Sequence, residues 1–165
     1  EKGAFLYYSD SDRRHWDVNG PHFLGAIVHH IILDHRDNKT LLASVQDRYR
    51  GSKIYRSLDF GKSWIPAKIS PTFKDGKLKR KVNHVFHLKP GHDSEPNVWY
   101  AGTSPQGLFI STDNGESWDS IDGFNNNPEW CSWTEKSNEG YAIAKIATIK
   151  LCEYISKKKS ITIFL

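Results

Sequence analysis

An eight-residue pattern occurs twice in this chain and constrains its fold more than any other feature. The first copy, at residues 57–64, reads Ser-Leu-Asp-Phe-Gly-Lys-Ser-Trp, and the second, at residues 111–118, reads Ser-Thr-Asp-Asn-Gly-Glu-Ser-Trp. Both share Ser-x-Asp-x-Gly-x-Ser-Trp, and their starts at 57 and 111 lie 54 residues apart. Repetition at such a period indicates a supersecondary unit that stacks on its neighbours to bury an apolar face. We therefore expect a chain of similar units.

The similarity between the two units extends upstream of the octapeptide. Residues 41–44 align with residues 99–102, and further back the alignment sets His29 over His84. Each unit contains four short runs rich in β-branched and aromatic residues, separated by turn residues. This predicts an all-β chain in which a four-stranded meander of roughly 50 residues is repeated. The predicted strands lie at about 26–33, 40–46, 53–58 and 63–69, and again at about 82–89, 97–103, 107–112 and 117–122.

Each octapeptide is expected to be a tight hairpin turn with a structural role. The glycine tolerates positive φ, and the aspartate accepts hydrogen bonds from backbone amides of its own turn. The first serine ties the far side of the turn, and the tryptophan buries its ring with its N–H bonded. The residues given these roles are Ser57, Asp59, Gly61 and Trp64 in the first copy, and Ser111, Asp113, Gly115 and Trp118 in the second.

The repeated turn resembles the Asp-box, or BNR repeat, of sialidase-like and glycosyl-hydrolase-like β-propellers. The resemblance runs from Phe5 to Trp130 and implies a partial β-propeller with about 2.5–3 four-stranded blades. For the full-length parent it implies glycan binding and a glycosidase activity of the exo-α-sialidase kind. The same turn occurs in sortilin-type receptors and photosystem assembly factors, so a non-catalytic scaffold for protein binding or assembly is the alternative.

The repeats divide the chain into four segments. Residues 1–20 are the end of a preceding blade with a degenerate turn, residues 21–70 and 71–122 are the two full blades, and residues 123–165 are an aberrant blade and tail. The tail has no third octapeptide, which suggests a truncated or frame-shifted end of a longer propeller. Three blades leave sheet edges unpaired, which favours self-association. We expect this chain alone to be inactive.

A ligand site is expected on the face away from the octapeptides, as in the propellers that the turn resembles. The loops expected there lie at 17–25, 46–52, 70–81, 103–106 and 123–139. An anionic sugar needs guanidinium groups, and its hydrolysis needs a nucleophile and an acid/base. The candidate catalytic residues are Asp47, Tyr49 and Glu129, and the candidate substrate-binding residues are His22, Arg48 and Arg50.

Two observations argue against hydrolysis by these residues. The sialidase pattern needs three arginines from different blades, a tyrosine paired with a glutamate, and a separate aspartate, and that complete set cannot be placed on this sequence. In addition, a run such as Asp47 to Arg50 is also typical of a solvated loop with local ion pairs.

Composition excludes several other classes of function. The net charge of +4 is spread along the chain without a basic stripe, so no nucleic-acid partner is expected. No apolar segment is long enough to span a membrane and no signal peptide is visible, which predicts a soluble chain that is cytoplasmic by default. Cys131 and Cys152 are expected to be free thiols, and His29 and His84 to be packed, hydrogen-bonded strand residues. No metal and no cofactor are expected; the expected partners are a carbohydrate, a protein or further copies of the chain.

Overall fold

Ten β-strands and one short helix make up the described part of the chain. A computed structural model describes residues 2–74 and 80–126. Within those ranges the strands form three antiparallel sheets, none of which closes into a barrel. The all-β prediction is therefore confirmed. The elements are β1 (Ala4–Ser9), β2 (Trp16–His22), β3 (Ile27–Leu33), β4 (Leu41–Asp47), β5 (Gly51–Ser57), β6 (Ile65–Pro66), β7 (His84–Pro90), β8 (Trp99–Ser104), β9 (Gly107–Ser111), β10 (Asp119–Ser120) and α1 (Asp122–Asn125).

Strands pair in chain order in every sheet. The first sheet is the hairpin β1–β2, the second is the meander β3-β4-β5-β6, and the third is the meander β7-β8-β9-β10. The predicted repetition of a four-stranded unit is thus present. The fourth strand of each meander has only two residues, shorter than predicted. In β6 the shortness is due in part to Pro66, because a proline has no N–H to donate and so does not extend the hydrogen-bonded ladder.

The residues of β3 and β7 that occupy equivalent positions differ from those that the sequence alignment paired. Each pair of first and second strands has a bulge, between Val28 and His30 in one sheet and between Val85 and His87 in the other. The bulge adds one residue to the strand at the same place in both sheets. His30 is therefore equivalent to His87, and His29 is equivalent to Phe86. The alignment of His29 with His84 is therefore wrong. Each strand contains two histidines, and matching the first histidine of one strand to the first of the other shifts the alignment by two positions.

Part of a predicted loop is a strand. Residues 17–25 were expected to form a loop, but β2 continues to His22 and pairs with β1 as far as Ala4. Gly20 and Pro21 suggest a turn, yet within the described ranges β2 is hydrogen-bonded on one side only, and an edge strand tolerates a proline. The loop is accordingly confined to the residues between β2 and β3.

The largest core cluster lies between the second and third sheets. Leu42 and Ile54 of the second sheet pack with Val85, Trp99 and Phe109 of the third, and all five are fully buried. These side chains lie on one face of each sheet because alternate residues of a strand point the same way. A smaller cluster on the opposite face of the second sheet contains the buried residues Ala26, Ala43 and Val45. The second sheet is thus apolar on both faces.

The two octapeptide turns have the same hydrogen-bond network. Ser57 Oγ donates to Asp59 Oδ1 (2.7 Å) and accepts from the Gly61 N–H (2.7 Å). Asp59 also accepts from the Ser63 N–H (2.9 Å) and hydroxyl (2.6 Å). Ser111, Asp113, Gly115 and Ser117 repeat every one of these bonds. Both glycines have positive φ, 85° and 81°, so the predicted turn chemistry is confirmed.

The tryptophans of the two turns pack on equivalent faces of their sheets but differ in bonding. Trp118 is buried in the cluster between the second and third sheets, and Trp64 packs on the cluster at the other face of the second sheet. Trp64 Nε1 donates to His22 Nδ1 (3.3 Å). Trp118 Nε1 has no acceptor among the described residues. The prediction of a bonded indole holds for Trp64 only.

A mostly buried arginine joins the second and third sheets at the end where the octapeptide turns lie. Arg36, in the β3–β4 loop, forms a two-point ion pair with Asp34 (2.8 and 2.7 Å). It also donates to the carbonyls of Glu95 (2.7 Å) and Val98 (3.0 Å), in the β7–β8 loop, and lies over the Trp99 ring. We call the end of the sheets that carries the octapeptide turns and the β3–β4 and β7–β8 loops the turn end. The opposite end, with the β4–β5 and β8–β9 turns, is the loop end.

Candidate functional site

Two open depressions flank the β4–β5 turn at the loop end. The first has a volume of about 480 Å³ and the second of about 510 Å³. Asp47 and Arg48 line both of them, so this turn separates two neighbouring concave surfaces. The first depression is lined by Ile27, Gln46, Asp47, Arg48, Gly51, Ser52, Lys81, Val82 and Asn83, and the second by Leu24, Gly25, Asp47, Arg48 and Tyr49.

Asp47 closes its own turn. Its Oδ1 accepts hydrogen bonds from the backbone N–H groups of Tyr49 (2.7 Å) and Arg50 (2.9 Å). These bonds favour the carboxylate and lower the pKa of Asp47 below its ordinary value. An aspartate with such partners is ionised at neutral pH and carries no proton to give to a leaving group. The two hydrogen bonds that Asp47 accepts account for an aspartate at this position without a catalytic role.

The three residues after Asp47 differ in what they can reach. Arg48 lines both depressions. Tyr49 is 90% exposed at the apex of the turn and lines the second depression only. Arg50 is exposed and lines neither. In the ranges 2–74 and 80–126, no carboxylate forms a salt bridge with Arg48 or Arg50. Arg48 is thus the guanidinium best placed to meet a ligand.

A chain of polar side chains leads from the first depression to the seam between β3 and β7. Gln46 Nε2 donates to Asn83 Oδ1 (3.4 Å), and His29 Nε2 donates to Gln46 Oε1 (2.9 Å). The His29 ring stacks on His84 at a centroid distance of 4.4 Å. Burial, with a smaller contribution from His29, lowers the pKa of His84. Both histidines are packed, as expected, and His29 is hydrogen-bonded. Neither ring nitrogen of His84 has a hydrogen-bond partner in the described ranges, so the prediction of a hydrogen-bonded histidine is wrong there.

The remaining predicted site residues lie elsewhere. His22 lies at the end of β2 and accepts the Trp64 indole N–H, and it lines neither depression. Its imidazole therefore supports the packing of Trp64. Glu129 lies outside the described residues. The structure thus brings Asp47, Arg48 and Tyr49 together at one turn and separates His22 from them.

Sequence reasoning missed three residues that line the first depression. Gln46 and Lys81 stood at the ends of predicted loops, but neither was chosen because a single polar residue in a loop carries no signal. Asn83 was assigned to a strand, and its side chain gains significance only because β7 lies beside β3 and β4. No sequence pattern links these residues to Arg48.

Charge decides what the first depression can do. Arg48 and Lys81 supply two cationic groups, and Asp47 is the one carboxylate among the described residues that line it. Guanidinium and ammonium groups recognise carboxylate, sulfate and phosphate oxygens. Such a lining suits the binding of an anionic, polar ligand. In the part of the chain that the structure describes, no three His, Cys, Asp or Glu side chains come together in a way that could hold a metal ion.

No protein-family model matches this chain, and no curated protein matches it. Over residues 2–74 and 80–126, no helix has the length and apolar character needed to cross a membrane.

Proposed function

We propose that this chain is part of an Asp-box β-propeller of the BNR-repeat type and that its loop end binds an anionic glycan. The propeller assignment is supported by two four-stranded meanders that stack with their first strands side by side. The rings of His29 and His84, and of His30 and His87, are in contact across this seam. Blades that radiate from an axis have this arrangement, and the identical octapeptide networks then lie at equivalent places in successive blades.

The ligand proposal depends on Arg48. It is exposed, it lines both depressions, and no carboxylate of the described residues neutralises it. Lys81 and the amides of Gln46 and Asn83 surround the first depression with further donors. A sugar that carries a carboxylate offers one anionic group for the arginine and several hydroxyls for the amides. N-acetylneuraminic acid is the simplest ligand of that kind.

We propose binding without hydrolysis for the described residues. Hydrolysis of a sialoside in the way that sialidases perform it needs a tyrosine paired with a glutamate and a separate aspartic acid that donates a proton. Asp47 is held ionised by its turn, and no second carboxylate lines either depression among the described residues. Any cleavage by a full-length parent would therefore need groups outside residues 2–74 and 80–126.

Titration calorimetry with N-acetylneuraminic acid tests the proposal. We expect the purified chain to bind this sugar and to bind galactose, which has no carboxylate, more weakly. Arg48→Ala should weaken the binding of N-acetylneuraminic acid about ten-fold or more, because hydrogen bonds to a charged group contribute about 1.5–3 kcal/mol. A fluorogenic sialoside should not be turned over by the chain.

Arg14→Ala is the matched control, because Arg14 is an exposed arginine in the β1–β2 turn and lines neither depression. It should leave the affinity unchanged. Binding that Arg48→Ala does not affect would refute the proposed site, and turnover of the sialoside would refute the proposal that the chain binds without cleaving.

A non-catalytic scaffold for protein binding is a second candidate. The specific support is the second depression, where Leu24 is 75% exposed beside Tyr49. Tyrosine is enriched at protein interfaces, and the exposed leucine beside it adds apolar surface that a partner protein could cover. If neither N-acetylneuraminic acid nor galactose binds, the scaffold becomes the better proposal.

A further inference from the structure

Three polar side chains connect the seam between β3 and β7 with the first depression. His29 Nε2 donates to Gln46 Oε1 (2.9 Å), and Gln46 Nε2 donates to Asn83 Oδ1 (3.4 Å). Gln46 and Asn83 line the first depression, whereas His29 does not. The His29 ring is half-buried and stacks on His84, so packing sets its orientation. We call His29, Gln46 and Asn83 the polar triplet.

The direction of the two hydrogen bonds leaves only N–H groups of the amides free. An amide oxygen can only accept, so the His29 Nε2 atom must carry a hydrogen. An amide nitrogen can only donate, so the side-chain oxygen of Asn83 is taken by Gln46. One N–H of Gln46 and both side-chain N–H groups of Asn83 then remain, and no described residue accepts them. Both amides thus present donors at the first depression.

The repeated fold does not require the bond between His29 and Gln46. Both meanders have the same bulge and the same pairing of their first two strands. In the third sheet, Phe86 occupies the place of His29, and Ser104 occupies the place of Gln46. The Phe86 ring has no hydrogen-bonding atom, so this bond has no counterpart there. The bond is therefore particular to the sheet whose turn carries Arg48, which indicates a role at the first depression.

We propose that His29 is a positioning residue for the anionic ligand, because it holds the amide nitrogen of Gln46, and not the oxygen, toward the first depression. This inference rests on the ligand site proposed above. Arg48 and Lys81 attract the anionic group, and the N–H groups of the two amides then bond to acceptor oxygens of the same ligand. A reversed Gln46 amide would turn an oxygen toward those oxygens and leave them without a donor. His29 therefore makes the site select ligands that are rich in acceptors.

Nitrogen NMR of the histidine rings tests the direction of the polar triplet without a ligand. At about pH 8 an ordinary histidine is neutral and carries its hydrogen on one ring nitrogen only. We expect the His29 hydrogen on Nε2, because Gln46 Oε1 accepts it. His29→Phe identifies the His29 signals by their loss, and Phe86 shows that a phenylalanine fits the equivalent position of the third sheet. A hydrogen on Nδ1 would mean that the Gln46 amide is reversed and would overturn the proposal.

Titration calorimetry of the full chain with N-acetylneuraminic acid tests the effect of the polar triplet on binding. His29→Phe should weaken binding about two- to ten-fold, because Gln46 loses the partner that orients it and the ligand loses about one neutral hydrogen bond. Asn83→Asp should weaken binding about ten-fold or more, because a charged oxygen replaces the NH2 group while the bond from Gln46 is kept. Asn83→Asp should affect galactose less, because galactose has no carboxylate to repel.

Asn38→Asp and His35→Phe are the matched controls, because Asn38 and His35 are exposed residues of the β3–β4 loop at the turn end. Both variants should leave the affinity unchanged. If Arg48→Ala weakens binding but His29→Phe and Asn83→Asp do not, this inference is overturned and the proposed ligand site stands. A chain that does not bind N-acetylneuraminic acid at all would refute the ligand site and this inference with it.

Discussion

Single residues explain why the octapeptide turn is so specific. The first serine is fully buried and serves as acceptor for the glycine N–H and as donor to the aspartate. Burial alone would raise the pKa of Asp113, but the hydrogen bonds from Ser117, Ser111 and Glu116 outweigh it and the pKa is lowered. The pKa of Asp59 is lowered chiefly by the Ser63 hydroxyl. Each turn thus depends on an ionised carboxylate held by its own neighbours.

Ser111→Ala should destabilise the fold by roughly 1–3 kcal/mol, because the buried N–H of Gly115 loses its acceptor. Urea denaturation followed by tryptophan fluorescence measures the change. Thr112→Ala, at the exposed next position of the same turn, is the control and should stay within about 0.5 kcal/mol of the parent. Equal effects of the two substitutions would mean that the serine network contributes little.

Packing between elements adds a second constraint on the turns, which the sequence shows only as a glycine. In the third sheet the octapeptide turn contacts the second sheet: Gly115 lies against Leu42, and Glu116 pairs with Arg56 (2.6 Å). The first octapeptide turn meets β1 in a similar way, through Gly61 and Leu6. Each turn therefore closes its own hairpin and also fixes the distance to the preceding sheet.

Gly115→Ala should be more destabilising than Gly25→Ala. Both glycines have positive φ, 81° and 86°, so both substitutions cost about 1–2 kcal/mol of backbone strain. A Cβ at Gly115 would also lie 2.7 Å from Leu42 Cδ2, whereas none of the described residues lies within 4 Å of a Cβ at Gly25. Overpacking of that kind adds about 1–3 kcal/mol. Urea denaturation of the two variants measures their free energies of unfolding. Similar values would argue against close contact between the turn and the second sheet.

At the scale of the whole molecule, the seam between the second and third sheets is rich in histidine. The His30 and His87 rings lie 4.6 Å apart, and His30 Nδ1 accepts the Leu88 N–H (3.2 Å). Burial, with help from His87, lowers the pKa of His30 to about 4. Burial and then Lys89 lower the pKa of His87. The seam therefore favours neutral histidines.

The seam should make stability fall as pH falls from about 6.5 towards 4. In that window the unfolded chain binds a proton at His30 and the folded chain does not, so acid favours unfolding. The turn aspartates titrate below this window because their pKa values are lowered. Urea midpoints measured from pH 7.5 to 4.5 should decrease steadily. His30→Asn, which keeps an acceptor, should make this pH dependence less steep. His35→Asn, at an exposed loop position, is the control and should leave the dependence unchanged. A urea midpoint that does not change with pH in the unaltered chain would contradict the proposed role of His30.

Local structure in this chain follows from residues that are neighbours in the sequence. Ser-x-Asp-x-Gly-x-Ser-Trp contains every donor, acceptor and positive-φ position that its turn needs, so the turns and the strands that lead into them could be predicted from neighbouring residues alone. The strands that follow the turns, β6 and β10, are shorter than predicted. The polar turn from Asp47 to Arg50 was also found, because its residues are adjacent in the chain.

The contacts between these turns and strands depend on the three-dimensional arrangement of the sheets. The equivalence of His30 with His87 depends on a bulge, the surroundings of Arg48 depend on Lys81 and Asn83, and the orientation of Gln46 depends on His29. In each case the partners are far apart in sequence. Contacts of that kind are set by how sheets stack, and no local pattern of residues records them.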